Sequence, residues 1–316
     1  MSLLVREAGL YSLLVDFGRP QSRALGLPVG GAADRSALVL GNALVGNRPD
    51  ALALEVTLAG PTLEALHPVA AVVFGAPFAC AINGSPVAAG TTFTLEAGDA
   101  LKIGGTGSQA RAYLCVAGGF ASLALLGSSS ALEPIRAGDT IVASAARIEP
   151  RALPFCTGDG QNPEAGDLRA RPRLLRVIPG PQHDWFSGDA FFEQTYMIAP
   201  ASNRMGLRLL GEPLTRRPGE LVSEAVAPGA VQVTNDGLPI VLGVDGQTIG
   251  GYPKIAHVIR ADLDQLGQLR PGDRVKFAHV SLEIAHEAAR RRTTLLKTWS
   301  RRLSASARAP QYSPEN

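Results

Sequence analysis

Cysteine is scarce in this chain. Cys80, Cys115 and Cys156 are widely spaced and odd in number, which fits neither a disulfide framework nor a zinc site. Cys80 and Cys115 lie in apolar, strand-like runs, so the thiols read as reduced core residues of a cytoplasmic protein. No apolar run approaches the ~18 residues of a membrane span, and MSLLVREAGLYSLLVDFG lacks the basic start and cleavage site of a signal peptide. A soluble, cytosolic protein with no membrane partner is expected. Net charge is only +2, so no global field argues for nucleic acid. The chain has no complete P-loop, no Gly-x-Ser-x-Gly elbow and no His-Glu-x-x-His. These absences exclude a free-standing P-loop ATPase, an α/β-hydrolase and a zincin. GGTGSQ at Gly104 is followed by no helix pattern, which a phosphate cradle requires. No metal-ligand set is visible.

Glycine and proline are abundant, at 35 and 23 residues, and 46% of the chain is hydrophobic against 18% charged. That balance favours a folded body with many turns and short strands over disorder. With 316 residues, two domains can each bury a core. The expected architecture is mainly β, with two barrel-like lobes, few short helices and a C-terminal helix. The lobes are expected at 1–150 and 174–280. An interdomain linker is expected at 151–173, where Pro, Gly and charge lack periodicity.

Local signals support the β reading. Leu3 to Val5 and Ser12 to Phe17 flank Glu7-Ala8-Gly9 as a strand pair, and Asn83-Gly84 marks a type I′ hairpin. EAGDALKIG at Glu96, RAGDTIVAS at Arg136 and RPGDRVKFA at Arg270 each set Gly-Asp before an alternating strand. Asp34 is expected to cap a helix carrying Leu38 and Leu44. In ALALEVTLAGPTL, Leu52, Leu54, Val56 and Leu58 share one strand face and Glu55 lies on the other, expected exposed. A helix is expected from Leu282 to about Leu303, with Arg290, Arg291 and Arg292 on a solvated face, and SASARAPQYSPEN as a disordered tail, within the 281–316 segment.

The chemistry concentrates in TNDGLPIVLGVDGQTIGGYPKIAHVIR, residues 234–260. Gly250 and Gly251 can take positive φ or let backbone approach a ligand. Asp245, Gln247, Thr248, Tyr252 and Lys254 supply acceptors, donors and one cation, an inventory suited to a small anionic or amide-containing molecule. Upstream, Pro179-Gly180-Pro181 leads into Gln182, His183 and Asp184. His183 titrates near neutrality and is a candidate acid or base. Asn203 and Arg204 in SNRMGLRL pair an amide with a planar cation able to hold a carboxylate.

VDGQTIGGYPKIAHVI resembles the signature of the second-subunit family of allophanate hydrolase and urea amidolyase. That family includes the biotin-dependent carboxyltransferase domain of urea carboxylase, the C subunit of bacterial ATP-dependent 5-oxoprolinase, and the antagonist of the Kip kinase inhibitor. RAYLCVAGGF, PGPQ and SNRMGLRL resemble further family segments, and Glu55, Glu224 and Gln232 match family positions. GLPVGGAADR resembles the family's Gly-Val-Pro-x-Ser-Gly-Ala-Met-Asp-Arg opening, with Leu27, Gly30 and Ala33 departing from it. After Leu126 the run GSSSALEPIRAGD is shorter than the family's and lacks its glycine- and Phe-rich loop.

The resemblance implies a cyclophilin-like barrel in the second lobe and a sister subunit of the allophanate hydrolase subunit 1 type. It implies an ATP-dependent amidohydrolase complex opening 5-oxoproline, with ATP held in the complex, on this chain or on its partner. In that setting Lys254 and Arg204 stabilise developing or substrate charge, and Gln182, Asn203, Gln247, Thr248, Gly250, Gly251 and Tyr252 hold the amide. His183 or Asp245 moves protons. Carboxyl transfer from biotin to urea or a related amide is the alternative. No Met-Lys dipeptide is present, so biotin would ride on a separate carrier. A third reading is a non-catalytic regulator that binds a kinase-inhibitor-like sister protein.

Overall fold

The computed structural model describes residues 2–153 and 171–308. Most of the expected linker, Cys156 and the last eight residues lie outside them. The described chain is mainly β. Its N-terminal part folds into two sheets. A seven-stranded sheet runs in the order Phe120–Ala121, Thr140–Ala143, Ser2–Glu7, Thr62–Ala65, Ala100–Thr106, Phe78–Ile82, Ser85–Val87. A five-stranded sheet runs Tyr11–Val15, Ala53–Thr57, Arg111–Val116, Val69–Gly75, Phe93–Leu95. Leu3, Leu54, Val56, Leu63, Leu101 and Leu114 are fully buried in one cluster between them. The first two strands therefore do not form the pair that the turn chemistry suggests: Ser2–Glu7 pairs with Thr62–Ala65, and Tyr11–Val15 with Ala53–Thr57.

A second cluster covers the other face of the five-stranded sheet. Leu13, Val15, Ala53, Val72 and Tyr113 meet Leu38 and Leu44 of the helix Arg35–Leu44, together with Leu303 and Trp299 of the C-terminal helix. Asp34 caps the first helix, accepting from Ala37 N at 3.0 Å. Because both faces of the sheet are covered, Glu55 is 1% exposed and not on a solvated face. Alternation alone cannot distinguish a sheet covered on one side from one covered on both.

The C-terminal part closes into a seven-stranded barrel in the order Arg173–Pro179, Lys254–Val258, Ala230–Val233, Pro239–Leu242, Gly206–Leu210, Tyr196–Ile198, Arg274–His279. Parallel pairing of Arg173–Pro179 with Arg274–His279 closes it. Its core of Leu175, Val177, Tyr196, Val231, Ile255, Val275 and Phe277 is separate from the two clusters above.

The repeated Gly-Asp turn has one geometry in both parts. Gly98, Gly138 and Gly272 sit at φ near +90°. Asp99, Asp139 and Asp273 each accept from the backbone N–H three residues earlier, at 2.7, 2.7 and 2.9 Å. The Asn83-Gly84 hairpin also forms, with Ile82 opposite Ser85 and both turn residues at positive φ. The C-terminal helix extends from Leu282 to Arg308, so the SASAR expected in the tail is helical. Arg292 is not a solvated charge either: its guanidinium bonds Asp264 Oδ2 at 2.8 Å and Ser36 Oγ at 2.8 Å. No helix among the described residues is long and apolar enough to cross a membrane.

Candidate functional site

The conspicuous polar residues separate into two groups. The first is a buried junction where the sheets meet the barrel. Arg204 donates to Asp245 through Nε (2.6 Å) and Nη2 (3.0 Å), to the Gly31 carbonyl at 2.8 Å, and through Nη1 to Glu55. Glu55 also lies 3.3 Å from Arg111 Nε and accepts from Tyr113 Oη and Ala33 N. Burial works against the Glu55 carboxylate, but Arg204 and Arg111 outweigh it and hold its pKa below the ordinary range. Burial likewise opposes the charge on Arg204, and Glu55 and Asp245 outweigh it, raising its pKa. Two glycines of the loop here, Gly30 and Gly31, take positive φ. Gly30 N donates to the Val244 carbonyl at 2.9 Å, tying the loop to the barrel.

The second group surrounds the short ribbon that pairs Glu224–Ala225 with Ile249–Gly250. Lys254, only 2% exposed, puts Nζ on Glu224 Oε1. Gln182 Nε2 donates to the same oxygen at 2.8 Å, and Gln182 Oε1 accepts from Lys254 N at 3.0 Å. The bond from Lys254 holds Glu224 below the usual carboxylate range. Neither Gly250 nor Gly251 takes positive φ. Gly250 serves close approach instead: a Cβ there would lie 2.7 Å from Gln232 Nε2 and 2.8 Å from Gln247 Nε2. Three amide side chains, a carboxylate and an ammonium thus crowd one glycine corner.

Beside this corner an open cleft of about 520 Å³ is lined by Gln247, Gly251, Tyr252 and Pro253 on one side and by Arg216, Gly219, Glu220, Leu221 and Asn235 around it. Its volume suits a small organic molecule. Gln247 and Tyr252 are exposed to it, whereas Thr248 is buried beside them. The remaining candidates stand apart from this lining. Asn203 turns back to accept from Met205 N at 2.8 Å, and Arg204 and Asp245 belong to the junction. His183 opens a short 3-10 turn, with its ring 6.1 Å from that of Phe192 and its Nδ1 buried without a hydrogen-bond partner. Among the described residues, no group of three or more His, Cys, Asp or Glu is placed to hold a metal.

Glu224 stands out in the sequence only as a family position, and the structure makes it the partner of Lys254. Arg216 and Glu220 carry no sequence signal, lying in polar loop sequence without periodicity, whereas Asn235 falls within the 234–260 stretch.

Residues 25–279 match the carboxyltransferase domain family, subdomains A and B. The chain is 35% identical over 292 residues to the C subunit of 5-oxoprolinase from Escherichia coli, covering 90% of this chain and 94% of that protein. It is 31% identical over 308 residues to a putative urea carboxylase of Emericella nidulans, covering 88% of this chain but 24% of that protein. Among solved structures, the K. lactis urea amidolyase superposes with a TM-score of 0.85 at 25% identity, over 94% of this chain and 20% of the other. The chain belongs to the carboxyltransferase domain family.

Proposed function

We propose that this chain is the C-type subunit of a 5-oxoprolinase-like amidohydrolase complex, working with a sister subunit of the allophanate hydrolase subunit 1 type to open the lactam of 5-oxoproline to glutamate in the cytoplasm. The observation that carries this reading is the 35% identity extending over 94% of the Escherichia coli protein. The match to a putative urea carboxylase covers only a quarter of that protein.

The polar corner supports the reading. Gln247, exposed at the cleft, offers an amide donor and acceptor that match a lactam N–H and C=O. We assign to the buried Lys254–Glu224 pair the role of polarising this corner, so that low dielectric favours negative charge developing on a substrate oxygen. His183, whose Nδ1 has no hydrogen-bond partner among the described residues, is kept as the candidate for proton transfer, whereas both oxygens of Asp245 are held by Arg204.

When bound to the complex, ATP supplies activation of the lactam oxygen. Arg204 and Lys254 are both engaged with carboxylates, which leaves neither of these cations free for a triphosphate. We therefore assign nucleotide to the sister subunit and derive no step through it. The test is co-expression with the neighbouring subunits and measurement of 5-oxoproline-dependent ADP release. A complex that releases no ADP above the Lys254→Ala level sinks this reading.

A second reading, carboxyl transfer to urea or a related amide from biotin on a separate carrier, is favoured by the family match and the urea amidolyase fold. A carboxylase-like neighbouring gene and carboxybiotin-dependent labelling of urea would select it.

A further inference from the structure

The cations singled out by their motifs are spoken for. Arg204 is saturated by Glu55, Asp245 and the Gly31 carbonyl, and Lys254 is paired with Glu224. The cation that lines the cleft is Arg216. It is half-buried, and no ion pair engages it among the described residues. Its guanidinium makes two long contacts to neutral acceptors, Nη1 to the Gly219 carbonyl at 3.3 Å and Nη2 to Asn235 Oδ1 at 3.4 Å. A guanidinium so held gains by exchanging weak neutral acceptors for a carboxylate, which its planar fork meets with two parallel bonds.

The wall that carries Arg216 is also braced. Arg216 bridges Phe186 in antiparallel fashion, and Arg217 N donates to the Trp185 carbonyl at 2.8 Å. A Cβ on Gly219 would sit 3.3 Å from the Trp185 ring, and Arg217 stacks over that ring at 5.2 Å while reaching Asp184 at 3.2 Å. The His-Asp-Trp segment after Gln182 thus holds the loop that presents Arg216, while its neighbour Gln182 holds Lys254. Glu220 adds a carboxylate to the same cleft. It would repel a dianion and accept from an N–H.

We propose that this cleft binds a small carboxylate that also bears an N–H donor, with Arg216 gripping the carboxylate and Glu220, Asn235 and Gln247 meeting the nitrogen side. The ligand class is a lactam acid or an α-amino acid. This deepens the functional reading above and rests on it for the identity of the ligand. It makes Arg216 the determinant of carboxylate specificity.

The test titrates 5-oxoproline and 2-pyrrolidinone, the same ring without the carboxylate, into the full chain by ligand-observed NMR. Wild type is expected to bind 5-oxoproline at least tenfold tighter. Arg216→Gln should erase that preference, Arg216→Lys should keep part of it, and Arg274→Gln, an exposed barrel-strand charge away from the cleft, should leave it unchanged. Glu220→Gln should weaken both lactams alike. A wild-type chain without carboxylate preference, including one that binds neither compound, overturns the proposal, as does a preference that survives Arg216→Gln. Turnover by the reconstituted complex is read separately. Arg216-dependent selectivity in a complex that makes no glutamate retains the site and removes the lactamase reading.

Discussion

The junction around Arg204 and the cleft around Arg216 are built from the same kinds of side chain and do opposite things. At the junction every charge has a partner: Glu55 faces two guanidiniums, and Arg204 faces two carboxylates and a carbonyl. Nothing is left over for a ligand, and the network fastens the sheets to the barrel. At the cleft, Arg216, Gln247 and Tyr252 line open space, and Arg216 makes only long contacts with neutral acceptors. The difference is one of commitment, which residue type does not reveal. A buried cation with two carboxylates is structure, while a half-buried one without any is a binding group waiting for its anion.

The comparison breaks first at Glu55. Glu55→Ala leaves Arg204 and Arg111 facing each other without the carboxylate between them, and losing one partner of a buried ionic network costs about 3–5 kcal/mol. Urea unfolding should show that loss. A change below ~1 kcal/mol would mean that water relieves the junction.

A second contrast lies between two buried carboxylates. Glu55, held by guanidiniums, has a depressed pKa, so its contribution is present above its unfolded pKa and lost as pH falls. Asp34 is pushed up to about 7 by burial and by the neighbouring Asp264, against the pull of Gln268, the Ala37 N–H and Arg292. Its contribution is complete below about pH 4 and is lost as pH rises toward 7, with a slope of up to ~1.4 kcal/mol per pH unit for one proton. Stability measured from pH 4 to 7 should therefore decline less in Asp34→Asn, which keeps a capping side chain, than in wild type. Parallel curves would contradict the assignment.

Smaller effects sharpen the picture. Arg292→Ala removes the clasp from the C-terminal helix to Asp264 and Ser36, a partly exposed pair, and should cost roughly 1 kcal/mol after screening. Tyr252→Phe, at the cleft, should change stability by under ~0.5 kcal/mol while raising the KM for 5-oxoproline in the complex. Equal damage to folding from Tyr252→Phe and Glu55→Ala would erase the distinction between the two regions.

Elements whose determinants are local are legible in the sequence. Asp34 as a cap, the Asn83-Gly84 hairpin and the three Gly-Asp turns depend on neighbours a few residues away, and all form. Glu55 defeats strand alternation because its burial comes from the junction, where Arg204, Arg111, Tyr113 and the Ala33 N–H close over its carboxylate. Arg292 departs from expectation for the same reason, since its partner Asp264 and that residue's neighbour Ser36 are distant in sequence. The glycine pair at 250–251 suggests positive φ, yet neither residue takes it, while Gly30 and Gly31 in the junction loop do. The resemblance groups Lys254 with Arg204 and Asp245, whereas the structure gathers Lys254 with Gln182 and Glu224 and sets Arg204 and Asp245 in the junction. Arg216 is invisible in the sequence because its meaning depends on what it lacks.

The most direct test is 5-oxoproline-dependent ADP release by the chain purified with its sister subunits, wild type beside Lys254→Ala. The account predicts release matched by glutamate formation in wild type and at least a tenfold lower rate in the variant. Equal rates, or no release from a folded wild-type complex, would contradict it.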